Sequence, residues 1–97
     1  MTENKTIYVD VDGTLMLSTG PNRPLIAWLI AKRGEGYRLI LWSARGDCHA
    51  EKAVDASGTD GLWYAVLSKP GRIVDNSGWS WVKYVPIVNI KEITGNS

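Results

Sequence analysis

Apolar runs and polar segments alternate along the chain in a way that predicts strands and helices in turn. Residues 6–11 and 37–42 are apolar and rich in β-favouring side chains, which predicts two buried strands. Between them, a loop over residues 17–23 leads into an apolar stripe with helical spacing. We expect this helix to begin at Pro24, since proline suits the first helical position, and to end at the glycines of residues 34–36.

The second half of the chain repeats this alternation in shorter pieces. A helix is predicted to open at residues 46–47, with Asp47 as its N-cap, and to end at residues 57–58. We predict a third strand within residues 62–67, a short fourth strand at 72–74 and a last strand at 85–90, and leave 79–84 unassigned. The last strand contains Pro86, which cannot donate a backbone hydrogen bond, so we place this strand at a sheet edge.

This order of elements indicates the fold class. Strands that alternate with helices favour a mostly parallel sheet covered by helices. We therefore predict a single α/β domain over residues 1–97, a Rossmann-like three-layer α/β/α sandwich with about five strands. No segment between the predicted elements is long enough for an additional cap domain.

The amino-acid composition says more about the cellular compartment of the protein than about its function. The net charge of +1 gives no general electrostatic footprint for nucleic acid or a membrane. Cys48 is the single cysteine, which excludes an intrachain disulfide and predicts a reducing, cytoplasmic location. Residues 1–5 are polar and no apolar stretch approaches the ~20 residues of a membrane span. The sequence still allows a local basic patch, which would be formed by Arg23, Lys32, Arg33, Arg38, Arg45, Lys69 and Arg72.

Polar side chains that could take part in catalysis or binding follow the predicted strands. Asp10 and Asp12 come at the end of the first strand, and Ser43, Lys69 and Asp75 follow the next three. Since the carboxyl ends of parallel strands share one edge of a sheet, we expect these five side chains to converge there. Carboxylates can hold Mg²⁺, while a hydroxyl and an ammonium can bind phosphate oxygens. The set predicts phosphoryl transfer.

With these residues in order, the chain resembles the haloacid dehalogenase-like hydrolases. Their first motif, DxDGT or DxDGV, is matched by residues 10–14, and a chance match is on the order of 10⁻⁵ per position. Ser43 matches the second motif, Lys69 before Pro70 the third, and Asp75 the fourth. The resemblance covers residues 7–76 and is to the minimal, capless members, among which small phage-encoded proteins and the phosphatase half of polynucleotide kinases are analogues.

The resemblance implies a mechanism and a site. Asp10 would be the nucleophile that forms an aspartyl-phosphate, and Asp12 the general acid and base. A Mg²⁺ cofactor would be held by Asp10, Asp12 (through its backbone carbonyl) and Asp75. Lys69 would neutralise the phosphoryl oxygens, and the remaining phosphate-binding groups would be Ser43 and backbone N–H groups, for which we name Val11 and Ala44. The expected substrate is a phosphomonoester: a small molecule, a nucleotide or a nucleic-acid end.

Two features keep alternatives open. Asn76 stands where the fourth motif commonly has a second acid, which allows an inactive domain that binds a phosphorylated ligand, nucleic acid or protein. The missing cap leaves an open site, which a second copy of the chain or another partner could cover. Simpler interpretations also remain: Asp75 as a turn former, Ser43 as a helix cap, and solvated or packing roles for the rest, namely Lys69, Arg45, Arg72, Cys48, His49, Trp79 and Trp81.

Overall fold

The computed structural model describes residues 4–78 and 80–94, apart from the side chains of Trp81 and Tyr84. Trp79 and the ring of Trp81, for which the sequence offers a packing role, therefore lie outside the described part of the chain. The elements follow in the order β1 (Thr6–Asp10), β2 (Met16–Leu17), β3 (Gly20–Pro21), α1 (Arg23–Gly34), β4 (Arg38–Ser43), α2 (Asp47–Ser57), β5 (Ala65–Ser68), a 3₁₀ helix (Ser80–Tyr84) and α3 (Ile90–Thr94).

Three parallel strands form the central sheet in the order β1–β4–β5. This confirms the predicted α/β class and the parallel pairing of the first three predicted strands. In register, Asp10 lies beside Trp42, and Ser43 lies beside Ser68. The carboxyl ends of all three strands therefore meet at one edge, where the candidate chemistry was expected.

Helix α1 begins one residue before Pro24. Its N-cap is Asn22, whose side-chain oxygen accepts a hydrogen bond from the backbone N–H of Leu25 at 3.3 Å. Such a cap satisfies a donor that the first turn leaves without a partner, and it stabilises a helix by about 0.5–2 kcal/mol. Lys32 and Arg33 lie in the last turn, where cations complement the helix dipole.

The core lies on one face of the sheet. Side chains alternate between the two faces of a strand, so Val9, Leu39 and Leu41 point the same way. They are buried in one cluster with residues from both α1 and α2, as expected when two right-handed crossovers run in the same direction across a sheet. The helical members of this cluster include Leu25, Ile26, Leu29, Ala50 and Ala53.

The opposite face of the sheet is more open. Tyr8 is 50 % exposed and Leu67 is 41 % exposed, and the Tyr8 ring contacts the Trp42 ring with 4.6 Å between centroids. The helices α1 and α2 form one layer on the other face, and α3 contacts α1. The described residues thus form a small α/β fold with three parallel strands, and the predicted five strands are not all present.

Two of the predicted strands are wrong. Residues 72–74 form no strand, because only a few residues separate them from the end of β5, whereas a parallel neighbour needs a crossover of a dozen or more. Residues 85–90 are not a strand either: Pro86 lacks a donor, and the Asn89 side chain accepts from the backbone N–H of Lys91 at 2.9 Å, at the start of α3. The loop predicted at 17–23 contains the short antiparallel pair β2–β3.

No helix in the described ranges is both long and apolar enough to cross a bilayer, and the longest, α1, has 12 residues.

Candidate functional site

A tight loop follows β1 and places the two aspartates. The backbone N–H of Gly13 donates to the Met16 carbonyl at 2.9 Å, and that of Met16 donates to the Val11 carbonyl at 3.0 Å. Gly13 has a φ of 76°, a conformation that side-chain-bearing residues rarely adopt. The glycine after the second aspartate therefore allows the chain to turn back at once, which leaves Asp10 and Asp12 at the sheet edge.

Asp10 is paired with the lysine predicted to accompany it. Lys69 Nζ lies 3.1 Å from Asp10 Oδ1, and the Thr14 hydroxyl lies 3.5 Å from Oδ2. Lys69 follows β5, so its side chain passes over the end of β4 to reach β1, and its ammonium lies 5.7 Å from the centre of the Trp42 ring. Both groups remain partly exposed, so solvent and small ligands can reach the pair.

Asp12 is surrounded by two cations or potential cations that follow β4. His49 Nε2 lies 3.1 Å from each carboxylate oxygen, and Arg45 Nη1 lies 3.8 Å from Oδ1. The His49 nitrogen that faces Asp12 can donate to an ionised carboxylate, and it can accept from Asp12 when that group carries a proton. Asp12 nevertheless stays 52 % exposed, open to a ligand from solvent.

His49 is the residue that sequence reasoning undervalued. The sequence favours a helix or surface role for His49 and a solvated role for its neighbour Arg45. The signal that could have identified His49 is its position in the fold. β4 is the neighbour of β1 in the sheet, and α2 starts soon after β4, so the first turn of α2 opens beside Asp12. Cys48 of the same turn is exposed and free.

Ser43 connects the strand ends from a buried position. Its hydroxyl accepts from the backbone N–H of Arg45 at 3.0 Å, and its carbonyl accepts from the backbone N–H of Lys69 at 2.9 Å. Ser43 is only 2 % exposed, so its part in binding phosphate stays a prediction. Of the two backbone candidates, Val11 is buried and Ala44, next to Ser43, is exposed.

The predicted N-cap of α2 is wrong, whereas its predicted end at residues 57–58 is confirmed. Gly46 is the N-cap, and it has no side chain with which to cap the helix. Ser43 bonds to Arg45 within the preceding loop, which precludes the cap role considered for it. Asp47 is the first helical residue, and its backbone N–H donates to the Ser68 hydroxyl at 2.8 Å. This bond ties the start of α2 to the end of β5.

Asp75 forms a turn of its own. It lies in an exposed segment, where its side chain accepts from the backbone N–H of Ser77 at 2.7 Å. Across residues 4–78 and 80–94, no three His, Cys, Asp or Glu side chains are grouped so that they could hold a metal ion. Asp75 thus has the turn-forming role considered as its alternative, and the metal site of Asp10, the Asp12 carbonyl and Asp75 stays a prediction.

The oxygen donors at the end of β1 fit Mg²⁺ in part. This ion commonly takes one or two carboxylates and keeps several waters, and the Asp10 carboxylate and the Asp12 carbonyl could be two of its ligands.

Comparisons of this chain with models of known protein families, with curated proteins and with solved structures found no match.

Proposed function

We propose that this protein is a phosphomonoester hydrolase that acts through an aspartyl-phosphate on Asp10. The observation that supports this most is the Lys69–Asp10 pair at 3.1 Å, formed by residues from two strands that are not neighbours in the sheet. A carboxylate with an ammonium beside it and a second carboxylate two residues away suits nucleophilic attack on a phosphate. The proposal includes membership of the haloacid dehalogenase-like group, as a reduced and capless form of its Rossmann-like sandwich.

The first half-reaction follows from these positions. An oxygen of the Asp10 carboxylate attacks phosphorus, a new P–O bond forms, and the bond to the leaving oxygen breaks. Asp12, in its protonated form, donates its proton to that leaving oxygen, so that an alcohol departs. Lys69 lies close enough to Asp10 to contact the phosphoryl oxygens as they gain charge. Arg45 and His49 hold Asp12 near the leaving group.

The second half-reaction releases phosphate. Asp12, now a carboxylate, takes a proton from water as the water oxygen attacks phosphorus, and the bond between Asp10 and phosphorus breaks. The products are inorganic phosphate and the original pair of aspartates, with Asp12 protonated again. Mg²⁺ held by Asp10 and the Asp12 carbonyl would supply further charge neutralisation at the phosphoryl group.

The test is hydrolysis of p-nitrophenyl phosphate with and without Mg²⁺. We expect release of nitrophenol by the wild type and loss of at least 10³-fold on Asp10→Asn, because the amide is not a nucleophile. Asp55→Asn removes an exposed carboxylate near the other end of α2 and is expected to keep the activity. Equal, background-level rates for wild type and Asp10→Asn would overturn the proposal.

A second candidate is a domain that binds a phosphorylated ligand without turnover. The observation that favours it is the turn at Asp75, whose side chain accepts from the backbone N–H of Ser77, with the uncharged Asn76 beside it where a second acid is common. On this alternative, phosphate or a phosphopeptide would bind and Lys69→Met would weaken binding, while no product would form. An open site of this kind also suits coverage by a second copy or by another protein.

A further inference from the structure

A groove at the opposite edge of the sheet combines cations with aromatic rings. Lys5, Arg38 and Tyr64 directly precede or open the strands β1, β4 and β5, so they lie at the amino-terminal edge. The groove has a volume of about 280 Å³. It is separated from the site at Asp10 by the length of β4, roughly 16 Å for the five steps between its six residues at about 3.3 Å a step. We call the groove and the cations beside it the amino-edge surface. The groove is lined by Arg33, Arg38, Tyr37, Trp63 and Tyr64, and the Tyr37 ring contacts Lys5 and Lys32.

Backbone contacts hold this surface in place. The N–H of Arg38 donates to the Lys5 carbonyl at 2.7 Å, and the N–H of Tyr64 donates to the Leu39 carbonyl at 2.7 Å. The Trp63 ring nitrogen donates to the Thr59 hydroxyl at 2.9 Å, which fixes the indole. The surface therefore belongs to the ordered framework of the sheet.

Cations stack on the aromatic rings of this surface. The Arg38 guanidinium lies 4.8 Å from the centre of the Tyr64 ring, and Lys5 and Lys32 lie 5.5 and 5.4 Å from that of Tyr37. Tyr64 is 65 % exposed. A flat exposed ring beside a guanidinium offers one group that can stack on a base and another that can bind a phosphate.

The local charge is positive although the whole chain is nearly neutral. Four cations gather here, namely Lys5, Lys32, Arg33 and Arg38. Of the carboxylates in the described part of the chain, Glu35 and Asp60 lie in the same region. Glu35 pairs with Lys32 at 3.4 Å, and Arg33 donates to the Gly61 carbonyl at 2.6 Å. Among the described residues, no carboxylate forms an ion pair with Arg38.

Helix stability does not account for all of these cations. Lys32 and Arg33 complement the dipole at the end of α1, which is a sufficient structural role for both. Lys5 also serves this helix end, since its ammonium donates to the carbonyl of the C-cap residue Glu35 at 3.1 Å. Arg38 has no such role, and it lies next to an exposed tyrosine ring. We propose that the amino-edge surface binds single-stranded nucleic acid, with a base on Tyr64 and the backbone phosphates on Arg38 and Lys5.

The chemistry favours a single strand over the other polyanions. In a duplex, bases stack on each other and do not offer their faces to a protein ring. An acidic protein would use the cations but gain nothing specific from the aromatic groups. The groove is slightly smaller than the roughly 300–1,000 Å³ of small-molecule sites, which leaves room for about one base-sized group.

The experiment measures the anisotropy of a fluorescently labelled ten-residue oligothymidylate between 50 and 200 mM salt. We expect saturable binding that weakens with salt. Tyr64→Leu is expected to weaken binding about tenfold and Tyr64→Phe to retain it, because only phenylalanine keeps a ring face. Arg38→Gln is expected to reduce the slope of log affinity against log salt by about 0.7, the effect of one phosphate contact.

Matched controls separate this surface from the rest of the molecule. Lys52→Gln removes an exposed cation from α2 and should leave binding unchanged. Lys69→Met removes the cation at the opposite edge, and Asp10→Asn blocks the proposed catalysis; both should bind as the wild type does. Binding that survives in Asp10→Asn would support the surface even if no phosphatase activity exists.

Several results would overturn the proposal. One is the absence of saturable binding at 100 µM protein in low salt. A second is loss of binding in Lys69→Met but not in Arg38→Gln, which would place the strand at the catalytic edge. A third is equal binding by Tyr64→Leu and wild type with full competition by polyphosphate, which would indicate a polyanion surface without base stacking. Equal displacement by a polyglutamate peptide would indicate an acidic protein partner.

Discussion

The side chain of Asp12 meets His49 at 3.1 Å on both oxygens, while Arg45 stands farther off at 3.8 Å. A general acid must be oriented toward the leaving oxygen, and a short carboxylate side chain on a turn has two torsions to fix. The histidine contact fixes them from a helix. Within the proposed mechanism, His49 is therefore a positioning residue for Asp12.

His49 variants test that role. Replacement by alanine is expected to lower kcat about tenfold, a fraction of the 10²–10⁴ that acid–base catalysis contributes, with little change in KM. Glutamine can place its amide N–H near the position of Nε2 and should recover much of the loss. Steady-state kinetics of His49→Ala and His49→Gln on an aryl phosphate would measure both effects.

Cys48→Ala is the matched control, since Cys48 is the exposed neighbour in the same helical turn. It should leave both kinetic parameters unchanged. A raised KM with an unchanged kcat in His49→Ala would show instead that this histidine contacts substrate and does not position the acid.

At the scale of elements, the loop that carries both aspartates depends on the buried side chain of Asn22. Its Nδ2 donates to the Thr14 carbonyl at 3.0 Å and to the Thr94 hydroxyl at 2.8 Å, while its oxygen caps α1. One amide thus joins the β1–β2 loop, the start of α1 and the end of α3. Buried polar groups of this kind are costly when a partner is removed.

Asn22→Ala and Thr94→Val test this connection by chemical denaturation. Asn22→Ala is expected to lower the free energy of unfolding by about 2–3 kcal/mol, since it removes a helix cap and leaves buried partners unsatisfied. Thr94→Val keeps the shape and removes the hydroxyl, for a loss of about 1 kcal/mol. In the double variant the two losses should be less than additive, because both report the same bond. Full additivity would mean that the bond contributes nothing.

At the scale of the whole molecule, the two faces of the sheet differ in how far their side chains are buried. Two leucines, one on each face, allow this difference to be measured. Leu41 is fully buried against the helices, whereas Leu67 is 41 % exposed on the other face. Leu41→Ala is expected to cost 2–5 kcal/mol of unfolding free energy and Leu67→Ala less than about 1 kcal/mol. Equal losses would show that a second layer, from a partner copy or another chain, covers the open face.

The sequence was a good guide to the sheet and a partial guide to the site. Apolar strands with glycine and proline between them are local signals, so β1, β4, β5 and the two main helices were predictable. Residues 72–74 and 85–90 carry equally apolar side chains, but pairing depends on crossover length and on Pro86, which periodicity does not report. Asp10 with Lys69 followed from strand-end logic, whereas His49 depends on the direction in which α2 leaves the sheet.

The Asn22–Thr94 bond has a consequence for the order in which the molecule is completed during synthesis. The two residues are 72 positions apart, and at about 5–20 residues per second the ribosome needs roughly 4 to 14 s to make the second after the first. During that interval Asn22, which holds the aspartate loop, lacks its hydrogen bond to the Thr94 hydroxyl. The aspartate loop thus gains its last anchor only after 72 further residues have been made.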